Sequence, residues 1–327
     1  MGILWLDGFD YYGSSCTPAV RYTIGSEGSG QFATGRVGGK AIQGGFTALH
    51  FIDIARSAVA CGFGYKCNNF PNSGVRAIYE WCDASGTVVC TLAVNTLGQF
   101  VLYRGGTGGT VLGTSSSAIP SSAWQYIEVE FTRNASTGAC NVYANGTQIL
   151  ALTGVNTGAA DILVMGFAAL NVSDFVDDYY VVSGATKLGE QRVVTIRPDA
   201  DTAQKDFTAD SGTDNYARVN ESPVNGDTSY VTANTNDAED LYTLADLGVT
   251  PASITAVQAV VIARKDDAAD RGVQTIIHGS TDTGGTVMGL STSYAAAVDL
   301  YEENPETSAA WTESDVNALE AGMKLVA

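Results

Sequence analysis

Along the first 190 residues, apolar and polar positions alternate in short runs broken by Gly, Ser and Asn. This is the pattern of half-buried strands joined by tight turns. The period predicts strands over 19–24, 48–54, 75–82, 87–95, 99–104, 124–133, 139–144, 147–153, 162–168 and 175–182. In the sixth of these, Ile127, Val129 and Phe131 fall on one face, and Tyr126, Glu128 and Glu130 on the other. One face is therefore expected to be buried and the other wet. Between two alternating runs stands Asn145-Gly146, a dipeptide suited to the positive φ angles of a type I′ turn, which predicts a hairpin.

The pattern continues more loosely beyond residue 190, with strands predicted over 192–197, 216–219, 229–232, 254–265, 275–278, 287–290 and 297–301. Ile254 to Ala263 is apolar on both faces, as in a strand buried between two layers. Asp199 to Asp246 is rich in Asn, Asp, Thr and Ser and reads as long loops. The period then changes: Thr312 to Asp315 resembles a capping box, and Val316, Leu319 and Met323 follow at helical spacing. A short helix is expected over 313–325.

Charge divides the chain. Residues 1–189 hold 12 acidic and 9 basic side chains, a net of −3; the rest hold 23 and 8, a net of −15. All six cysteines (Cys16, Cys61, Cys67, Cys82, Cys90 and Cys140) lie in the first part. With Gly184 to Gly189 between two strand-rich regions, the expected domains are 1–186 and 187–327. An overall net charge of −18 repels phosphate and anionic lipid, so nucleic acid and membrane insertion are not expected. The N-terminus lacks a basic and apolar leader, and no C-x-x-C pair occurs, so the cysteines are expected to be free, buried thiols. The Asn-x-Ser/Thr sequons at Asn134, Asn145, Asn171 and Asn220 then carry no meaning.

Four pieces of the first region resemble the concanavalin A-like (laminin-G-like) jelly roll. They are Leu4 to Asp10, the Gly-rich Thr34 to Ile42, Trp124 to Phe131 with the Asn145-Gly146 hairpin, and Phe175 to Val181. In the second region, 192–201, 261–266 and 310–320 resemble structural proteins of tailed bacteriophage particles. The resemblance implies an all-β chain: an N-terminal jelly-roll sandwich followed by a smaller C-terminal β-sandwich ending in the helix. It also implies a virion component made in the bacterial host cytoplasm, on the tail or decorating the capsid. Such a component would be a homo-oligomer (a trimer is favoured), contacting other virion proteins and host surface glycans. A free lectin or adhesin is the alternative, and a glycoside hydrolase a more distant one.

Candidate chemistry is sparse, and the chain is read as a non-enzyme. The paired-glutamate pattern of laminarinase-type hydrolases is absent, and Glu128 and Glu130 read as a solvated strand face. Gly35 to Lys40 departs from the phosphate-loop pattern at Thr34 and Ala41. His50 and His278, the two histidines, lie on predicted strands and read as structural. In carbohydrate-binding jelly rolls an Asp on the last strand helps hold a structural calcium against the first strand. By resemblance, Asp177 and Asp178, with Asp7 or Asp10, are the calcium candidates. Rings that could stack on sugars are Tyr11, Tyr12, Tyr65, Tyr79, Tyr103, Tyr179 and Tyr180.

Overall fold

A computed structural model describes residues 2–13, 17–24, 31–45 and 48–326. The chain is built of antiparallel strands in two units: Met1–Asp10 with Tyr22–Val193, and Tyr11–Arg21 with Val194–Ala327. The division falls at 193/194 rather than 186/187, because 187–193 hydrogen-bonds to a sheet of the first unit. None of the helices among the described residues is long and apolar enough to cross a membrane.

The first unit contains β1 (Ile3–Asp7), β2 (Thr23–Ile24), β3 (Gln31–Thr34), β4 (Lys40–Gln43), β5 (Leu49–Arg56), β6 (Ala58–Cys67), β7 (Val75–Cys82) and β8 (Val88–Asn95). It continues with β9 (Gln99–Arg104), β10 (Thr110–Ala118), β11 (Gln125–Thr132), β12 (Gly138–Ala144), β13 (Thr147–Val155), β14 (Ile162–Phe167) and β15 (Asp174–Ser183). One sheet runs β13-β12-β11-β6-β15-β4-β3, with β1 also on β15; the other runs β10-β9-β8-β7-β14-β5-β2. Their facing sides make the core. Phe63 of β6 meets Tyr79 and Phe167 of the opposite sheet, and Trp81 stacks on Phe131 with ring centroids 4.4 Å apart. Each such ring, fully buried, contributes about 1.5–3 kcal/mol.

Most predicted strands of this unit are present, and the hairpin is where it was expected. Asn145 (φ 48°) and Gly146 (φ 77°) take the positive angles of a type I′ turn between β12 and β13. Residues 18–20 form a 3-10 turn rather than strand. The central strand β6 was not predicted, because Gly62 and Gly64 dilute its β pattern. The proposed sugar-stacking rings Tyr12, Tyr65, Tyr79, Tyr103, Tyr179 and Tyr180 are buried, which removes them as an exposed platform. Cys61, Cys67, Cys82, Cys90 and Cys140 are free and buried; Cys16 lies outside the described residues.

The second unit holds β16 (Pro198–Lys205), β17 (Thr208–Ala209), β18 (Val231–Thr232), β19 (Glu239–Leu244), β20 (Val257–Ala263), β21 (Gly272–His278), β22 (Asp282–Gly284), β23 (Met288–Gly289), β24 (Ala295–Tyr301), α1 (Glu313–Asn317) and β25 (Glu320–Val326). Its main sheet runs β16-β19-β25-β21-β22, and β20 pairs with β24 alone. Residues 192–197 form no strand, and Tyr216–Arg218 is a 3-10 turn. β20 is half-buried along its length instead of enclosed between two layers. The helix begins at the predicted capping box, where Thr312 and Asp315 exchange hydrogen bonds, but it stops at Asn317. Residues 320–326 are a strand between β19 and β21. Gly322 disfavours a helix there, and a Cβ on it would lie 1.8 Å from the Asp240 carbonyl oxygen.

The acidic stretch read as loops is held from inside. The buried Asp240 carboxylate accepts hydrogen bonds from the Phe207 amide (2.7 Å), Asn215 Nδ2 (2.6 Å) and the Tyr242 hydroxyl (2.8 Å). Asp201 accepts from the amides of Asn215 and Tyr216. These carboxylates tie residues 206–216 to β19 and β16, alongside Phe207 and Tyr216, which pack against the buried cluster of Tyr242, Val273, Ala297 and Met323.

Candidate functional site

On the outer face of the β6 sheet, register places Tyr143, Glu128, Gly62 and Tyr180 in one row across β12, β11, β6 and β15. Gly62 has no side chain, so the Tyr180 hydroxyl reaches over it and donates to Glu128 Oε1 at 2.8 Å. This face was expected to be wet, yet Tyr126, Glu128 and Tyr180 are each about 1% exposed. The covering is the chain's own segment 187–193. The Gly189 amide donates to Glu128 Oε1 at 2.7 Å, Lys187 Nζ pairs with Oε2 at 2.8 Å, and the Leu188 amide donates to the Tyr180 hydroxyl. Glu130 accepts from Asn141 and Tyr143. Both glutamates are thus committed to internal partners.

The four calcium candidates gather at one end of the β1–β15 pairing, where Asp7 stands opposite Tyr179. Asp7 accepts from the Phe9 amide and the Tyr22 hydroxyl, and Asp10 from the Lys40 amide at 2.6 Å. Asp177 accepts from the amides of Arg36 (2.6 Å) and Asp178 (2.8 Å). Asp178, on a bulge with φ 50°, accepts from Arg36 Nε (2.7 Å) and the Val193 amide (2.8 Å). The Arg36 guanidinium also bonds Glu190 and the Gln191 carbonyl and lies 4.9 Å from the Tyr126 ring centroid. Burial pushes both the Asp177 and Asp178 carboxyls up; the Asp178 charge adds to the rise at Asp177, while the Val193 amide and Arg36 oppose the rise at Asp178. Every oxygen of Asp7, Asp177 and Asp178 already takes a protein N–H or O–H. Among the described residues no group of three or more His, Cys, Asp or Glu is placed to hold a metal ion. The donor set fits Arg36 and backbone amides rather than calcium.

The outer face of the opposite sheet has a second polar row. Register aligns His50 (β5), Gly166 (β14), Glu80 (β7), Thr91 (β8) and Tyr103 (β9). Gly166 lies between His50 and Glu80 in register, and a Cβ there would lie 2.1 Å from the Leu49 carbonyl oxygen, so the backbone approach requires glycine. Across this position His50 Nε2 and Glu80 Oε2 stand 3.9 Å apart, beyond hydrogen-bond reach. His50 Nε2 is buried and has no hydrogen-bond partner among the described residues. Burial pushes the His50 imidazole down. Burial also pushes the Glu80 carboxyl up, against a Thr91 hydrogen bond that lowers it. Beside the row, Ala93, Val101 and Tyr103 form a small apolar cluster with Val75 packed on it.

On the strand pattern alone His50 reads as structural, and Glu80 carries no signal of its own. Thirty residues separate them in the chain. Their juxtaposition depends on β14 inserting between β5 and β7, which no local pattern shows. His278 is occupied, with Nδ1 2.6 Å from Asp282 Oδ1.

No protein-family model matches the sequence, and no curated protein matches it. Among solved structures, similarity extends to a sialidase at 11% identity, over 55% of this chain and 18% of that one, with a TM-score of 0.39. A tetrameric galectin from the ball sponge Cinachyrella sp. is 10% identical over 40% of this chain and 96% of its own, with a TM-score of 0.31. Domain 4 of AbnA, a GH43 extracellular arabinanase from Geobacillus stearothermophilus solved with arabinotriose, is 16% identical over 49% and 78%, with a TM-score of 0.34. The chain spans under a fifth of the length of that sialidase.

Proposed function

We propose that the first unit is a glycan-binding module whose sugar site is the outer face carrying the part-exposed His50 and Glu80. The observation that supports this is the side-by-side placement of the part-exposed His50 imidazole and Glu80 carboxylate, 3.9 Å apart on one sheet face. An imidazole and a carboxylate side by side offer a donor and an acceptor, so a ligand with both donor and acceptor capacity suits this face. Sugar hydroxyls have both. Binding rather than hydrolysis is favoured by the state of Glu128 and Glu130, whose oxygens are held by Tyr180, Lys187, Gly189, Asn141 and Tyr143. The test is a glycan-array screen followed by calorimetry on His50→Ala and Glu80→Ala. Binding by the parent, lost in both variants at unchanged melting temperature, supports the site.

The virion placement is a further proposal, supported by the resemblance of 192–201, 261–266 and 310–320. Its test is the copy number in purified particles, by quantitative mass spectrometry against the major capsid protein. Hundreds of copies mean a capsid decoration, and a small multiple of three or six a tail component. Absence rejects the virion and favours the free lectin.

A further inference from the structure

We propose that Lys66, Trp124 and Gln43 form a binding site for a carboxylated sugar on the outer face of the β6 sheet. The site lies on the opposite sheet from His50 and Glu80 and stands independently of that reading.

Segment 187–193 covers this face over Glu128 and Tyr180 but leaves the far end of β6 part-exposed. There Lys66 of β6 stands opposite Phe175 of β15, and Phe175 opposite Gln43 of β4. Trp124, just before β11, completes the row: the Lys66 ammonium lies 5.0 Å from its ring centroid and 4.1 Å from that of Phe175. The two ring centroids are 6.4 Å apart with planes at 72°, so the rings flank the ammonium rather than stack on each other. Phe175 is 6% exposed and forms the floor, while Lys66, Trp124 and Gln43 are half-buried. The row covers three strand spacings, about 14 Å, which suits a short oligosaccharide.

Elsewhere in this unit cations are matched by acids: Arg36, Arg56, Arg76, Arg133 and Lys187 each meet a carboxylate. Lys66 does not. Among the described residues its ammonium makes no hydrogen bond or ion pair, and the two rings alone hold it. Trp124 hydrogen-bonds through its carbonyl, which accepts from Gln125, and its Nε1 has no acceptor among the described residues. Gln43 Nε2 donates to the Val172 carbonyl at 2.7 Å, which leaves Oε1 as an acceptor. A sugar carboxylate supplies the missing partner: it takes a charge-assisted hydrogen bond from Lys66, the apolar side of its ring packs on the indole, and a hydroxyl further along donates to Gln43. A neutral sugar gains the ring contact without the charge, and a small anion the charge without the ring. Of the net −18, only −3 belongs to residues 1–189, so the long-range field of this unit opposes an anion weakly.

The full chain should be titrated by calorimetry with oligomers of galacturonate, glucuronate and mannuronate, with their methyl esters, and with acetate. At least one acid oligomer is expected to bind about five- to tenfold more tightly than its ester, and acetate far more weakly than either. Lys66→Gln should bring acid and ester to equal affinity, Lys66→Arg should keep the preference, and Trp124→Leu should weaken both. His50→Ala, on the other sheet, should change none of these values. Melting curves verify that the variants fold, and Lys66→Met serves if Lys66→Gln does not. Equal affinity of acid and ester in the parent, an unchanged preference in Lys66→Gln, or no binding of any acid oligomer would overturn the site. Acetate binding as tightly as the oligomers would overturn its assignment to a sugar. Uronate binding lost in His50→Ala but kept in Lys66→Gln would overturn this site and leave the His50 face standing; the converse pattern supports this site whatever becomes of that face.

Discussion

Tyr180 shows how much one polar atom carries in this chain. Its hydroxyl donates to Glu128 and accepts from the Leu188 amide, and all three groups lie under the 187–193 segment. Tyr180→Phe leaves a buried carboxylate oxygen and an amide short of a partner, and should lower stability by about 1–3 kcal/mol. Urea denaturation tests this: the midpoint should fall with the slope unchanged. The thiols give a second test at this scale. Burial pushes Cys82 and Cys90 up to about 12, so raising the pH to 9 should not create the reactive thiolate at either position. Iodoacetamide labelling with peptide mapping should find Cys61, Cys67, Cys82, Cys90 and Cys140 unmodified in the native protein and alkylated in guanidinium. Native labelling as fast as in denaturant would contradict their burial. Single residues were read correctly where chemistry is local, as for the buried thiols. The tyrosines were misread because a ring that favours strands is equally at home inside a sandwich.

Hairpins and strand ends are where the local signals were strongest and where they also misled. Gly146→Ala puts a Cβ on a residue held at φ 77° and should cost about 1–2 kcal/mol, read as a lower thermal midpoint. The capping box at Thr312 was legible and real, yet the apolar spacing after it belongs to β25. Val316, Leu319 and Met323 satisfy a helical period, while Met323 and Leu325 satisfy a strand period and are the buried pair in β25. Pairing on both sides decides between them: Ala321 stands opposite Tyr242 in β19 and Ile277 in β21. Deleting 320–327 should therefore abolish the calorimetric transition of the second unit, whereas loss of a peripheral helix would only lower its midpoint.

At the scale of the whole molecule, the boundary and the carboxylates are linked. Residues 187–193 supply Lys187, the Gly189 amide and the Val193 amide to the buried Glu128 and Asp178. A fragment ending at 186 strips Glu128 of its cationic partner, so it should be less stable than one ending at 193 by about 3–5 kcal/mol, the cost of an uncompensated buried charge. Equal stability of the two fragments would show that this covering segment carries little. The same internal pairing at Asp7, Asp177 and Asp178 predicts that a calcium chelator leaves the melting temperature of the full chain unchanged. A fall on chelation would restore the ion to that site.

The sequence by itself determined the all-β class, most strands of the first unit, the Asn145-Gly146 turn, the helix start at Thr312 and the existence of two regions. These follow from alternation, turn residues and charge, all set by neighbours within a few positions. Only the tertiary structure decided which outer face stays covered, why β6 can be central despite its glycines, and where the second unit begins. It also decided the His50–Glu80 pairing, because strand order places β14 between β5 and β7 and register sets Gly166 between the two side chains. Register between distant strands depends on the packing of the whole sandwich, so no run of adjacent residues encodes it.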